Sequence, residues 1–338
     1  MTVLIQSVTP ITEKQIINQL LALRTHAFVE HSHFAVAALI EVKRRDNLYA
    51  YIGGVNVENN EHNRLSLHAE QNAIATAQTL LGTIQFSKIW VMGAPDDINK
   101  GSNSALADSV ITCCGHCRQI LCEFASKEAE MYSVTVSGKI SAATKLADLL
   151  PNAFTEFDLH IAKQTQAMLM AHNKKNENVN VSAFNDHGLA IEEGDVDEQA
   201  IFHYLRSIKP HIIDNHFATS LITSCILKMA NISQYIPGVL VQDAAFLTTD
   251  AIFTAIGYAI SQFGGKIVLE EIYLYGHGLG VLPLTGSELG MMSRFAKQDI
   301  LIHIYNQDGL VRSCKLSAYI KEKYADFMAK VEKENNVR

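Results

Sequence analysis

His68-Ala69-Glu70-Gln71-Asn72-Ala73-Ile74, followed after a long gap by Cys114-Gly115-His116-Cys117, decides the reading of this chain. It supplies two thiolates at C-x-x-C spacing, one imidazole, and a carboxylate two residues past that imidazole. Three such ligands leave one position open on a zinc ion, the mark of a catalytic rather than a structural site. Glu70 is then placed as the proton carrier that an activated water needs. Gly115 eases the tight turn between the two cysteines. If Cys117 opens the helix that follows, the helix N-terminus favours its thiolate form. Each part has a plainer reading alone. A lone C-x-x-C serves metal, redox chemistry or nothing; a lone histidine is usually structural; an acid early in a helix offsets the helix dipole. Redox use of the C-x-x-C gives no reason for His68-Ala69-Glu70, and the combination points to metal-assisted hydrolysis.

Working outward, Ala69–Leu81 is alanine-rich without internal Gly or Pro, and reads as a helix ended near Gly82. Upstream, Thr12 and Gln15 form a capping box for a helix carrying Ile16, Ile17, Leu20, Leu21 and Leu23. Phe34–Ile40 reads as a buried strand, the charged run Glu41–Asp46 as a hairpin turn, and Leu48–Val55 as the returning strand. Gly53-Gly54 marks a bulge or a close backbone approach. Downstream come a strand at Lys88–Gly93, a polar loop at Ala94–Ser109, a helix at Cys117–Phe124 and a strand at Tyr132–Val136, with Leu146–Pro151 closing the unit. Hairpin, helix, strand, helix, strand is the order of a sheet with covering helices, an α/β sandwich.

The remainder echoes this unit without its chemistry. Glu271-Ile272-Tyr273-Leu274-Tyr275-Gly276 parallels Lys88-Ile89-Trp90-Val91-Met92-Gly93, and Thr254-Ala255-Ile256 parallels Asn72-Ala73-Ile74. Where the echo of His68-Ala69-Glu70 should fall there is Val241-Gln242-Asp243 or Asp250-Ala251-Ile252, depending on register, and no C-x-x-C follows Gly276. The expected organisation is a catalytic domain over 1–155, a helical or polar linker over 156–193, and a non-catalytic domain of similar fold over 194–338. The second domain serves packing or oligomer formation.

Composition sets the limits. The chain has 338 residues, 48% of them hydrophobic, enough for two cores. A formal net charge of −7 without any basic run argues against polynucleotide and anionic-membrane partners. Of six cysteines, Cys113, Cys114, Cys117 and Cys122 crowd together, which suits metal binding in a reducing compartment rather than a disulfide scaffold. No apolar run is long enough for a membrane span, and the N-terminal residues lack a basic, cleavable leader pattern, so a cytoplasmic protein is expected.

The H-A-E-Q-N-A-I and C-G-H-C-R-Q segments resemble the cytidine deaminase family, over most of Phe34–Phe124. The resemblance implies a three-layer α/β/α sandwich with a mixed sheet. It also implies zinc held by His68, Cys114 and Cys117, with Glu70 moving protons as water adds to C4 of the pyrimidine and ammonia leaves. Asn56 and Glu58 take the place of the family's sugar-binding Asn-x-Glu, Phe34 that of the phenylalanine against the base, and the Ala69 backbone N–H that of a base contact. Length and the echoed half are similar to the two-domain homodimeric branch. There an Ala-Ala-Phe segment, here Ala244-Ala245-Phe246, makes Phe246 a base contact across the dimer. Two departures stand out: Gln242-Asp243 precedes that segment instead of Glu-Asn, and Cys113 replaces the proline before the first cysteine ligand. Proline would fix the backbone approach to the metal, and Cys113 adds a third nearby sulfur.

The implied activity is hydrolytic deamination of cytidine and deoxycytidine. Another aminated pyrimidine nucleoside is the alternative substrate, and the metal ligands do not exclude purine-type deamination. A polynucleotide editor would need a basic surface. A non-catalytic zinc-stabilised assembly protein is the different-class alternative, and it leaves Glu70 unexplained.

Overall fold

The computed structural model describes residues 3–44, 46–59, 66–82, 84–97, 104–155, 197–208, 210–212, 222–243, 248–276 and 284–335. The expected linker over 156–193 and Phe246 lie outside these residues.

After strand β1 (Leu4–Ser7), Thr12 caps helix α1 (Glu13–Arg24) as expected. Its Oγ1 accepts from the Gln15 amide at 3.3 Å, and Gln15 Oε1 accepts from the Thr12 amide at 2.9 Å. Strands β2 (Phe34–Lys43) and β3 (Tyr49–Val55) form the hairpin. Its turn starts later than the charged run suggests: Glu41 is still strand, buried, and accepts from the Tyr51 hydroxyl at 2.7 Å and the Ser87 hydroxyl at 2.8 Å. Asn47, in the left-handed region at φ 65°, makes the reversal. Helix α2 (Ala69–Leu81) stops at Gly82, where φ is 73°.

Strand β4 (Phe86–Pro95) is followed by a 3₁₀ turn at 104–108 and by helix α3 (Gly115–Phe124), which runs directly into β5 (Ala125–Ser133). Because no loop separates them, β5 begins well before the expected Tyr132. A two-residue β6 (Thr144–Lys145) and a single-turn α4 (Leu146–Leu149) close the unit. The sheet order is β1-β3-β2-β4-β5-β6, with β4 and β5 parallel and the other neighbours antiparallel.

Gly53-Gly54 marks close helix approach, since the β2–β3 register is unbroken. A Cβ on Gly53 would lie 2.4 Å from Leu23 Cδ1 of α1, and one on Gly54 2.3 Å from the Ala73 nitrogen of α2. Successive strand residues face opposite sides, so α1 and α2 cover opposite faces and the unit is a three-layer sandwich.

The second half contains α5 (Glu198–Ser207), β7 (Ser224–Met229), β8 (Ile232–Val239), β9 (Val241–Gln242), β10 (Thr248–Thr249), α6 (Ala251–Phe263) and β11 (Leu269–Tyr275). It ends with α7 (Gly286–Phe295), β12 (Ala296–Asn306), β13 (Gly309–Lys315) and α8 (Leu316–Asn335). Its main sheet, β13-β12-β11-β7-β8, again contains a single parallel pair, β11 with β12. The repeat is real at the level of individual residues. Helices α2 and α6 both have 13 residues, capped by His68 and Asp250, which selects Asp250-Ala251-Ile252 as the echo of His68-Ala69-Glu70. Gly238 repeats Gly54: its Cβ would lie 2.3 Å from the Ala251 carbonyl oxygen.

The two halves meet along α2 and α6 and share one continuous apolar core. The fully buried Asn72 has Nδ2 3.0 Å from the Gly257 carbonyl oxygen and 2.9 Å from Ser261 Oγ. Gly257 permits this approach, because a Cβ there would lie 2.4 Å from Leu67 Cδ2 and 2.6 Å from Asn72 Oδ1.

Candidate active site

Two helix starts converge on one point. His68 is the cap residue of α2, with Ala69 and Glu70 in its first turn; Cys114 is the cap residue of α3, with Cys117 in its first turn. His68 Nδ1 lies 3.5 Å from Cys114 Sγ and 3.3 Å from Cys117 Sγ, and all three ligand atoms fall within 4.8 Å of one another. Zinc bonds of about 2.0 Å to nitrogen and about 2.3 Å to sulfur, at a tetrahedral angle, put N and S roughly 3.5 Å apart. The set therefore fits a zinc-sized ion with one coordination position left over. Among the described residues no other group of three such ligands comes together.

The electrostatics prepare a thiolate there. Hydrogen bonding from the Cys117 thiol, aided by the Cys117 and His116 backbone N–H groups, outweighs burial and brings Cys114 down to about 4. The same bond, together with burial, pushes Cys117 up. Burial and the neighbouring His68 lower His116. Glu70 is buried beside this cluster, 6% exposed.

Cys113 stays out of the ligand set. It is 1% exposed and turns its sulfur into the core, 3.5 Å from Met131 Sδ, where burial and the Glu70 charge push its thiol up. The backbone it occupies is held by Arg118, whose Nε donates to the Cys113 carbonyl at 2.9 Å and Nη1 to the Leu149 carbonyl at 3.1 Å. A side-chain clamp thus fixes the loop in which the zinc deaminases carry proline. The sequence shows Arg118 only as part of the motif; its partner Leu149 is visible only after folding.

A cleft of about 480 Å³ opens over the cluster, within the range of small-molecule sites. Phe34, Asn56, Glu58, His68, Ala69, Glu70 and Cys114 all line it, while Cys117 sits behind them, fully buried. Asn56 ties the cleft wall together: its Oδ1 accepts from the Val36 amide at 2.8 Å and its Nδ2 donates to the Phe34 carbonyl at 2.9 Å. Glu58 Oε2 accepts from the backbone amides of His31 at 2.9 Å and Ser32 at 3.0 Å. Burial works against its charge, but bonds from Ser32 and His31 hold its carboxyl below the usual range. Ser66, Ile111 and Thr112 also line it, and no chemical signal in the sequence marks them. Nor does anything mark Gln71, whose Nε2 donates to Thr249 Oγ1 of the second half at 2.8 Å.

At the equivalent place in the second half the helix starts close on themselves. Thr285 and Glu288 stand where Cys114 and Cys117 stand, and form a capping box: Glu288 Oε2 accepts from the Thr285 amide at 2.7 Å. Asp250 replaces His68. The metal-binding chemistry is replaced by helix capping.

A three-ligand metal cluster beside a buried carboxylate, at the floor of a cleft in an α/β sandwich, defines a deaminase-type hydrolase centre. Residues 11–133 match the cytidine and deoxycytidylate deaminase zinc-binding region. A cytidine deaminase from Sporosarcina psychrophila is 28% identical over 141 residues, covering 42% of this chain and 90% of that protein. Among solved structures, cytidine deaminase from Burkholderia pseudomallei shows 26% identity over 43% of this chain and 100% of its own, with a TM-score of 0.35. The enzyme from Mycobacterium tuberculosis shows 26% identity over 43% of this chain and 98% of its own, with a TM-score of 0.32. The N-terminal region is a cytidine-deaminase-like zinc-binding domain homologous to bacterial cytidine deaminases.

Proposed function

We propose that the protein hydrolyses cytidine and deoxycytidine to uridine and deoxyuridine, releasing ammonia, with zinc held by His68, Cys114 and Cys117. The observation that carries this reading is the buried Glu70 beside a ligand set with a position to spare. Zinc, when bound, supplies Lewis acidity that makes water acidic enough to react near neutral pH. Glu70 takes a proton from the attacking water and passes it to the ring nitrogen, then takes the proton of the new C4 hydroxyl and passes it to the departing amine. Its burial excludes bulk water from that transfer.

The rest of the cleft serves recognition. The pyrimidine lies against Phe34, with the Ala69 backbone N–H directed at its polar edge. Glu58, kept ionised by its backbone donors, accepts from a sugar hydroxyl, and Asn56 fixes the strand that carries Phe34. A carboxylate suited to a sugar favours a nucleoside over a free base. The half beyond the linker, over 194–338, holds α2 in place and forms a homodimer in which Phe246 reaches a base. A substrate panel on zinc-loaded protein, scored by ammonia, tests the reading. Turnover of cytidine and deoxycytidine above free cytosine is expected; turnover of cytosine alone would remove the sugar contacts from the proposal.

A further inference from the structure

The outer face of the second sheet carries a cavity that the deaminase reading does not use. Alternation along β11 and β12 sends Glu271, Tyr273, Tyr275, His303 and Tyr305 to this face, and parallel pairing sets Tyr273 beside His303 and Tyr275 beside Tyr305. Helix α5 packs over one end of the face, burying Tyr275 and Tyr305 with Ile201 and Leu205. Beside the helix a cavity of about 220 Å³ remains, its lining including Glu198 and Ile201 of α5, Tyr235, Tyr273, His303 and Leu310.

The catalytic half shows what this place looks like when filled. There Tyr51, Trp90 and Tyr132 occupy the corresponding positions, with Trp90 and Tyr132 stacked at 5.6 Å and 17°. In the second half Tyr273 and His303 stack at 4.6 Å and 11°, and Tyr235 tilts against Tyr273 at 6.3 Å. Tyrosine for tryptophan and histidine for tyrosine remove ring volume while keeping an aromatic wall. One carboxylate lines the cavity. Glu198 stands at the rim, accepting from the Tyr305 hydroxyl at 3.3 Å. Behind the wall, Glu271 is bound by Lys228 at 2.9 Å and by the Tyr273 hydroxyl, so that lysine is already engaged. His303 is held by Ser313 Oγ at 2.8 Å, with Nε2 3.6 Å from Glu271, and burial outweighs that carboxylate and lowers its pKa.

We propose that this cavity binds a guanidinium cation, such as the end of an arginine side chain, against Tyr235 and Tyr273, with Glu198 as its counter-charge. A guanidinium plane stacks on aromatic faces while its N–H groups reach a carboxylate. The site needs neither zinc nor turnover, so it stands apart from the deaminase reading.

The test is methylguanidinium titrated against the full zinc-loaded chain, observed through its methyl signal by saturation-transfer NMR, with methylurea as the neutral isostere. Saturable binding of the cation, no binding of methylurea, and weakening of roughly fivefold or more in Glu198→Gln are expected, the scale of one partly buried cation contact. Glu198 is exposed, so this variant keeps the fold; Tyr235→Leu is the second probe and is expected to weaken binding similarly. Absence of a saturable signal, equal binding of methylurea, an unchanged Glu198→Gln, or displacement by cytidine from the other cleft would each overturn the proposal.

Discussion

Glu70 is buried in the first turn of α2 beside the ligand cluster, where the proposed reaction uses it for proton transfer. Replacing it with alanine should cut ammonia release from cytidine by about 10²–10⁴-fold, the usual worth of a positioned acid–base group. Zinc content, measured on the purified variant by elemental analysis, should stay unchanged. Cys117→Ala should do the reverse and lose the metal, because Cys117 lines no part of the cleft and serves only as ligand and core. The His68, Cys114 and Cys117 set was legible in the sequence because H-x-E and C-x-x-C are local patterns of residue type, and the fold brings the two together. Arg118 was not, since its carbonyl partners at Cys113 and Leu149 come together only in space.

At the scale of elements, the two glycines that let helices approach carry the sharpest expectations. At Gly54 an added methyl meets the Ala73 nitrogen and the Ala69 carbonyl oxygen, at 2.3 and 2.5 Å, and backbone cannot yield as a side chain does. At Gly257 it meets the Leu67 and Asn72 side chains, at 2.4 and 2.6 Å, rather than backbone. Both alanine variants should lower unfolding stability in urea by about 1–3 kcal/mol, the cost of overpacking, with Gly54→Ala the more damaging. Two helix ends were readable because Thr12 and Gly82 act locally on the backbone, whereas the cap at Asp197 was not read. The start of β5 and the strand character of Glu41 were not. Glu41 is made tolerable by Tyr51 and Ser87, partners that a reading of adjacent charges does not reveal.

For the whole molecule, the second half retains the scaffold and has exchanged ligands for caps, leaving a carboxyl in a shielded place. Burial, with the charge of Glu288, pushes Asp250 up to about 7 from an ordinary value near 3.8. The folded chain therefore holds this proton more tightly than the unfolded chain. Its contribution is full below about pH 4 and is lost as pH rises towards 7. Asp250→Asn should remove that dependence and raise stability at pH 8 by an amount on the order of a few kcal/mol, read as the difference between variant and parent melting across pH 5–8. An unchanged pH profile would show that Asp250 is ionised throughout. The repeat was legible from Thr254-Ala255-Ile256, and the helix start at Asp250 has the same offset from His68 as that echo has from Asn72-Ala73-Ile74, which settles the register left open by the sequence. The deaminase reading rests on one quantity: ammonia released from cytidine by zinc-loaded protein, with Glu70→Ala measured beside it at equal zinc occupancy. Steady release by the parent and near-complete loss in the variant are expected. A fully zinc-loaded parent that releases no ammonia from cytidine or deoxycytidine, or a variant that releases it equally, would contradict it.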